Sequence, residues 1–489
     1  MPMPGGYCTA SCGLTACPGG STCVPTGRMG ELCAATCASN ADCRADQGYV
    51  CDPDRKACML PFVVSPALKS CPGKTTPSTA FSPMTLLTSA TTPGAYQFEP
   101  SAVVTPAGDV VAMFTGGAAN FMAPSFLGVV RIPVKGAPEE IAITTTKSMH
   151  FDPWVAVDRA GTVHAVWLGH DGGGVDLNAE IGYARSTDGG KTWSPAVAIH
   201  DPAPCADGHP FCLDKPMIAI GPAPGKKEGI HAFYSSAGMK LRSSTDGGKT
   251  WGVTVPVIDG TYGDVAVDDR GTLHVVAAGA AEGEGEDGPP ASAFGSSANA
   301  ILYTSSTTGS TFSAPVKVSG AGELIPFFFV NPTVVADRAR GLIYVAYAAG
   351  TPDGAWNIQL ATSKDQGKTW SRRMLAGSTP ACANHAVPDL ALSANGQLHA
   401  TWYEYVGGVG YRAYTTCAIG GATCDSPSAL GPPMARYELV RHSPRWLGEY
   451  TGLVVDDKRH VLHSLWTQIV GDATTSAGRI VHASAPIGR

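Results

Sequence analysis

The chain has 489 residues, a net charge of −6 at pH 7 and only 15% charged residues. This acidic balance excludes the basic face that a nucleic-acid partner requires, and no apolar run approaches the roughly 18 residues of a membrane-spanning helix. With 59 glycines and 38 prolines, the composition indicates many short strands joined by turns.

Residues 1–58 are predicted to form a disulfide-rich module. They contain few apolar side chains, so they cannot build an adequate core without covalent cross-links. Zinc is the alternative, but the segment has no histidine and no Cys-x-x-Cys pair. We therefore expect an extracellular protein, secreted or attached to the cell surface, whose sequence begins after a removed leader. Ten of the fifteen cysteines lie in the first 71 residues: Cys8, Cys12, Cys17, Cys23, Cys33, Cys37, Cys43, Cys51, Cys58 and Cys71.

Residues 59–83 are predicted to be a Pro/Ser/Thr-rich linker, and residues 84–489 carry a repeat. Seven times, a polar opening (in most cases with a proline) leads into an apolar, β-branched run typical of a covered inner strand. The openings contain Glu99, Asp152, Lys215, Asp264, Asn331, Asp389 and Glu449. The last repeat has room for only three strands, so residues 84–88 are expected to supply its fourth and close the ring.

Four of the repeats also contain an eight-residue motif, which we call the octad. STDGGKTW occupies residues 186–193 and 244–251, SKDQGKTW occupies 363–370, and a degenerate copy occupies 305–312. The copies start 58 to 61 residues apart, which is a period typical of repeat architectures. Ser and Asp can bond the backbone N–H groups of a tight turn, Gly permits a positive φ, and Trp packs between units. Each octad is therefore predicted to be a hairpin turn.

At these octads the chain resembles the Asp-box (bacterial neuraminidase repeat) proteins, the β-propellers of the sialidase superfamily. The resemblance implies an all-β fold of four-stranded blades, with the box on the turn between the third and fourth strands and away from the active face. Our count of openings predicts seven blades, whereas sialidases usually have six. The resemblance also implies chemistry with three arginines, an aspartate acid/base and a tyrosine–glutamate nucleophile pair.

The cysteines after residue 71 allow two local disulfides. Cys417 and Cys424 bracket the position where the sixth repeat lacks its octad, so a disulfide between them is expected to fix that turn. Cys205 and Cys212 form a second expected pair. Cys382 is left over, to pair with Cys71 or another N-terminal cysteine or to stay free.

The residues that open the inner strands are predicted to ring the mouth of the central channel. An acidic ring suits paired-carboxylate catalysis, although the same groups could simply cap strands and bind channel water. The predicted catalytic roles are Asp152 as acid/base and Glu449 with Tyr450 as the nucleophile pair. The predicted substrate-binding residues are Arg441 and Arg445, which would hold an acidic sugar by bidentate bonds, together with Glu99, Asp264 and Asp389.

These observations lead to three hypotheses about function. The first is a secreted, exo-sialidase-like glycoside hydrolase acting on glycans or glycoproteins. The second is a polysaccharide lyase in which His385 or His150 is the base, and the third is a non-catalytic propeller that binds glycans or proteins. We expect a monomer without a cofactor or an established metal motif. Two loops, residues 170–178 and 282–287, offer spaced oxygens for calcium.

Overall fold

The computed structural model describes residues 2–3, 7–8, 12, 16–25, 31–44, 49–52, 56–59, 76–88, 96–117, 125–171, 177–200, 213–222, 228–236, 238–279, 300–321, 323, 325, 331–350, 356–377, 383–406, 409–434, 447–471 and 477–488. These residues are almost entirely strands and turns, with two one-turn 3-10 helices at Asn40–Asp42 and Arg338–Arg340. No helix within these ranges is long and apolar enough to cross a membrane.

Within its described residues, the N-terminal segment has three two-stranded sheets and four disulfides. Its strands are β1 (Pro2–Met3), β2 (Tyr7–Cys8), β3 (Ser21–Pro25), β4 (Glu31–Ala35), β5 (Val50–Asp52) and β6 (Ala57–Met59). The disulfides are Cys12–Cys23, Cys17–Cys33, Cys37–Cys51 and Cys43–Cys58. Two successive groups of four cysteines thus have the same connectivity, first to third and second to fourth. The predicted disulfide-rich character is confirmed.

Seven four-stranded sheets follow in chain order. Two short strands come before them, β7 (Thr76–Pro77) and β8 (Thr85–Leu86). Blade one contains β9 (Tyr96–Val104), β10 (Val110–Gly117), β11 (Phe126–Ile132) and β12 (Glu139–Ile141). Blade two contains β13 (Met149–Val157), β14 (Val163–Asp171), β15 (Leu177–Ser186) and β16 (Val197–Ala198). Blade three contains β17 (Asp214–Pro222), β18 (Glu228–Ser235), β19 (Met239–Ser244) and β20 (Val255–Ile258).

The remaining blades repeat this order. Blade four contains β21 (Thr261–Val267), β22 (Leu273–Gly279), β23 (Ala300–Ser306) and β24 (Val316–Lys317). Blade five contains β25 (Thr333–Asp337), β26 (Leu342–Gly350), β27 (Trp356–Ser363) and β28 (Ser371–Ala376). Blade six contains β29 (Ala383–Leu392), β30 (Leu398–Val406), β31 (Val409–Cys417) and β32 (Ser428–Ala429). Blade seven contains β33 (Gly452–Asp456), β34 (Val461–Val470) and β35 (Ala477–Pro486).

The sheets close into a ring. The first strand of each blade contacts the first strand of the next, and β33 of blade seven contacts β9 of blade one. Blade seven takes its fourth strand from β8, which pairs antiparallel with β35. The predicted seven-bladed propeller and its closure by an N-terminal strand are confirmed. The pairing covers the outer edge of β35.

The segment that precedes blade one also contacts blade six. Strand β7 pairs in parallel with β32 and makes blade six five-stranded, and Phe81 packs into the cluster that joins blades six and seven. Both contacts involve residues of the predicted 59–83 linker. The boundaries at residues 58 and 83 stay a prediction.

The octads form the predicted hairpin turns. In residues 186–193, Ser186 Oγ accepts a bond from Gly190 N at 2.8 Å and donates to Asp188 Oδ1 at 2.7 Å. The Asp188 carboxylate also accepts from Thr192 N and Thr192 Oγ1, at 2.9 and 2.6 Å. Residues 244–251 and 363–370 repeat this bonding. One serine and one aspartate therefore satisfy most of the turn's donors.

The turns also connect neighbouring blades. The Trp251 ring of blade three meets Tyr183 of blade two edge-on at 5.0 Å, and Trp370 of blade five meets Tyr303 of blade four at 5.2 Å. Gly248 has a φ of +79°, and a Cβ atom there would lie 1.7 Å from the Tyr183 hydroxyl. The glycine is thus required by both backbone conformation and close packing. In blade six, where the octad is missing, the expected Cys417–Cys424 disulfide is present.

Candidate functional site

Five residues at the start of inner strands have a left-handed backbone although none is glycine. Glu99, Asp152, Lys215, Tyr262 and Val387 have φ values of 48° to 58°, and each lies at an irregularity in the pairing with the second strand. Such a conformation is uncommon outside glycine and costs about 1–3 kcal/mol. Because the apolar Val387 shares it, the bulge belongs to the blade architecture. The side chains that the bulges present differ from blade to blade.

Four of the predicted ring residues meet in one buried cluster. Glu99, Asp152 and Glu449 come from blades one, two and seven, and the Lys215 ammonium from blade three lies among them. Lys215 Nζ is 3.7 Å from Glu99 Oε1 and contacts Asp152 Oδ1 and Glu449 Oε2 directly. Each of the four residues is at most 4% exposed. The structure therefore brings together residues that are 350 positions apart in the sequence.

The carboxylates of Glu99, Asp152 and Glu449 are close enough to share one cation. One oxygen from each lies within 4.8 Å of the other two. Lys215 Nζ contacts all three groups, so the chain's own ammonium supplies the positive charge that a metal ion would bring. The cluster is therefore best described as a lysine–carboxylate site.

Burial changes the protonation of Asp152. Burial raises the pKa of Asp152 to about 6; the Lys215 ammonium opposes this rise, and the negative charges of Asp214 and Glu449 add to it. A carboxyl group with such a pKa takes up a proton in mildly acidic solution, as a general acid must.

Tyr450 forms an aromatic wall beside the cluster. Its ring lies 4.9 Å from that of Trp154, and Lys215 Nζ is 5.9 Å from its centroid. Its hydroxyl donates to the Pro153 carbonyl at 3.0 Å. Burial and the negative charge of Glu99 raise the pKa of Tyr450 well above the ordinary value, so the phenol is neutral. On the other side of the ammonium, the Tyr262 ring lies 5.5 Å from Nζ.

Asp264 and Asp389 lie two residues further along their strands than the bulges. Asp264 accepts bonds from Thr333 Oγ1 and Val334 N of the next blade, at 3.0 and 2.9 Å. Asp389 accepts from Thr451 Oγ1 of blade seven at 3.1 Å. These two predicted substrate-binding residues thus bond between blades, away from the four-residue cluster.

Burial also raises the pKa of both aspartates, to about 6 for Asp264 and about 8 for Asp389. Near Asp389, the buried Arg412 guanidinium opposes the rise while it bonds Thr401 and Thr451, both at 2.5 Å. Asp389 and Arg412 thus join blade six to blade seven, while Asp264 joins blade four to blade five.

His385 and His150 occupy matching positions in blades six and two. His385 Nδ1 bonds the Trp356 carbonyl at 2.9 Å, and His150 Nδ1 bonds the Ser125 carbonyl at 3.0 Å. Each bond connects an inner strand to the preceding blade. His385 Nε2 lies 3.7 Å from Glu404 Oε2, and burial lowers the pKa of His385. A buried neutral imidazole that repeats in two blades fits an interblade connection.

The histidines of the second strands bond within their own blades. His164, His274 and His399 pair through Nδ1 with tyrosine hydroxyls of the third strand, at 2.7 to 2.8 Å. Their periodic geometry agrees with the structural role that their repetition indicates.

Several predicted residues lie outside the described part of the chain. They are Arg441, Arg445, Cys71, Cys205, Cys212, Cys382, most of the 170–178 loop and the whole 282–287 loop. Sequence reasoning named Lys215 only as one of the seven ring residues and missed Tyr262. The Lys-Pro pair at residues 215–216 matched the Glu-Pro and Asp-Pro pairs of blades one and two, whereas blade four has Tyr-Gly at that position, which hid the alignment.

The family comparison identifies the repeat. The BNR/Asp-box repeat model matches residues 184–195, which include the first octad. The chain carries Asp-box repeats. A search of the curated proteins found no significant match.

Solved structures similar to this Asp-box propeller share little sequence with it. A Dyadobacter fermentans protein of unknown function is 14% identical, over 84% of this chain and 100% of that one, with a TM-score of 0.47. An α-L-arabinofuranosidase from Fusarium graminearum is 14% identical, over 84% and 98%, with a TM-score of 0.43. A Trypanosoma rangeli sialidase is 11% identical, over 84% and 59%, with a TM-score of 0.44. The activity of this chain is therefore argued from its own side chains.

Proposed function

We propose that this Asp-box propeller is a secreted glycoside hydrolase that retains the anomeric configuration and uses Asp152 and Glu449. The observation that carries the proposal is the close approach of the carboxylates, one oxygen of each lying within 4.8 Å of one oxygen of the others. Retaining enzymes hold their two carboxyl groups about 5–5.5 Å apart, whereas inverting enzymes need about 6.5–9.5 Å to admit a water molecule. This close approach supports the retaining arrangement.

The two carboxyl groups have different environments and therefore different roles. Asp152, whose pKa is raised by burial, gives its proton to the departing alcohol as the glycosidic bond breaks. Glu449 forms the ester bond to the sugar. Asp152 then takes a proton from the water molecule that releases the sugar and restores Glu449.

The geometry favours Glu449 over Tyr450 as the nucleophile. The Tyr450 hydroxyl donates to a backbone carbonyl and its pKa is raised well above the ordinary value, so it is neither ionised nor paired with a base. In this proposal Tyr450 and Trp154 form an apolar wall for the sugar ring, and Glu99 orients the Lys215 ammonium. The role of Arg441 and Arg445 in holding an acidic sugar stays a prediction.

The burial of Asp152 and Glu449 has two consequences for the proposed function. Because Asp152 is 4% exposed and Glu449 is fully covered, atoms that cover the cluster must move before a sugar can reach it. The same burial, together with ion pairs that join four blades, is also what a structural clamp needs. A non-catalytic glycan-binding propeller is therefore the second candidate.

The test is incubation with neutral glycosides, sialosides and uronic-acid polysaccharides, followed by mass spectrometry of the products. We expect fragments that have gained water, and retention of configuration by NMR. D152N and E449Q should each lower the rate about 10²–10⁴-fold. D456N is the matched control, because Asp456 is also buried and pairs with Arg459 in blade seven outside the cluster.

Each of the other outcomes would contradict part of the proposal or favour a different function. Full activity in both D152N and E449Q would exclude the site, and inversion of configuration would exclude the covalent step. Unsaturated products would indicate a lyase. Glycan binding without any product would favour the second candidate, the non-catalytic glycan-binding propeller.

A further inference from the structure

We propose that Lys215 is the positioning residue of this site, whose ammonium holds Asp152 and Glu449 side by side. This role rests on the proposed function, but its physical basis can be measured without a substrate. None of the carboxylates shares a blade with Lys215, so the ammonium is the group that connects them.

The first argument is charge balance in a buried volume. Asp152, Glu449 and Glu99 bring three carboxyl groups together, and the neighbouring Asp214 is also buried. Like charges at these separations repel strongly where water is excluded. One ammonium in contact with three groups offsets part of this repulsion and leaves the cluster with an excess of negative charge. At least one carboxyl group therefore binds a proton readily, which a general acid requires.

The second argument is that the chain fixes Lys215 from several sides. Its backbone N–H donates to Asp214 Oδ1 at 3.0 Å, within the bulge that gives Lys215 its φ of 48°. Its ammonium lies 5.5 and 5.9 Å from the ring centroids of Tyr262 and Tyr450. Aromatic faces attract a cation, and more so when it is desolvated. A side chain held in this way can orient both partners.

The groups that face Asp152 come from three other blades. They are Lys215 and Asp214 of blade three, Glu449 and Tyr450 of blade seven, and Glu99 of blade one, while Tyr262 of blade four flanks the ammonium. Lys215 is the positive charge among them. Its removal should therefore raise the pKa of Asp152, since the ammonium lowers that pKa by charge and by hydrogen bonding.

The test compares K215M, K215R and the control K147M, whose lysine pairs with Asp171 near the surface of blade two. The first readout is infrared difference spectroscopy during a pH titration, with the Asp152 carboxylic-acid band assigned by its loss in D152N. We expect the protonation midpoint of Asp152 to rise by about 1–3 pH units in K215M. The midpoint should move little in K215R, which keeps the charge, and should not move in K147M.

A double variant is the control for misfolding of K215M. K215M removes the ammonium that contacts three buried carboxyl groups, so K215M is also made together with E99Q, which removes one of them. In the double variant the midpoint should return part of the way to that of the wild type. Circular dichroism and melting temperature show which variants are folded.

The second readout is the pH dependence of kcat/KM on whichever glycoside the wild-type protein cleaves. Its alkaline limb should move upward in K215M in parallel with the infrared midpoint, because Asp152 must be protonated to act as the general acid. A purely structural lysine would lower the melting temperature and leave both midpoints unchanged, and that result would overturn the proposal. If the wild-type protein cleaves no substrate, the proposed function fails while the infrared midpoints still decide the role of Lys215.

Discussion

Closure of the propeller by the N-terminal strand can be tested with two adjacent leucines. Leu87 is 2% exposed and packs with residues of blades one and seven, including Val110, Leu465 and Ile480. Its backbone N–H also donates to the Ile480 carbonyl at 3.0 Å. Leu86, one position earlier, is 49% exposed. The pair differs in burial while strand, chemistry and position along the chain are nearly identical.

The magnitude follows from burial. Replacing a buried leucine with alanine costs about 2–5 kcal/mol, because both transfer free energy and packing are lost. A leucine that is half exposed and outside such a cluster changes stability by about 0.5 kcal/mol or less. We therefore expect L87A to unfold at clearly lower temperature and urea concentration than L86A.

The assay is thermal and urea unfolding of both variants, followed by tryptophan fluorescence. A selective loss in L87A supports closure through residues 85–87, since the other buried members of the Leu87 cluster belong to blades one and seven. Equal stability of L87A, L86A and the wild-type protein would refute the packing argument.

Three further predictions concern the turns of the blades. Trp370 is 9% exposed, and its ring centroid lies 5.2 Å from that of Tyr303. Replacing Trp370 with alanine should lower the free energy of unfolding by about 3–5 kcal/mol, and a double-mutant cycle with Tyr303 should show about 0.5–1.5 kcal/mol of coupling. Replacing both Cys417 and Cys424 with serine should cost about 2.5 kcal/mol in unfolding free energy, from the short loop that their disulfide closes. The threonine hydroxyl in the 363–370 octad lowers the pKa of Asp365 to about 2. The ionised Asp365 therefore stabilises the fold above about pH 4, and this stabilisation is lost as the pH falls toward 2. D365N should flatten this part of the acid-unfolding curve.

The architecture was predictable because its signals are local and repeated. The octads at 186–193, 244–251 and 363–370 satisfy their own turn donors through Ser and Asp, so their letters alone indicate a hairpin. Seven polar openings gave the blade count, and the missing strand of the last blade indicated closure by residues 84–88. Each of these inferences depends on interactions within about ten residues or on counting repeats.

The site was predictable only in part. Matching X-Pro pairs placed Glu99, Asp152 and Lys215 at equivalent positions, and the structure brings them together with Glu449. Asp264 looked equivalent in sequence but lies two residues further along its strand, because blade four has Tyr262 at the bulge.

Tertiary structure alone decided which charges meet. The four residues of the cluster are separated by tens to hundreds of positions, and closure of the ring brings Glu449 of blade seven next to those of blades one, two and three. Protonation depends on burial and on the number of neighbouring charges, which no local pattern encodes. The sequence by itself determined the repeat and its turns, while the folded ring determined that one buried lysine holds three carboxylates.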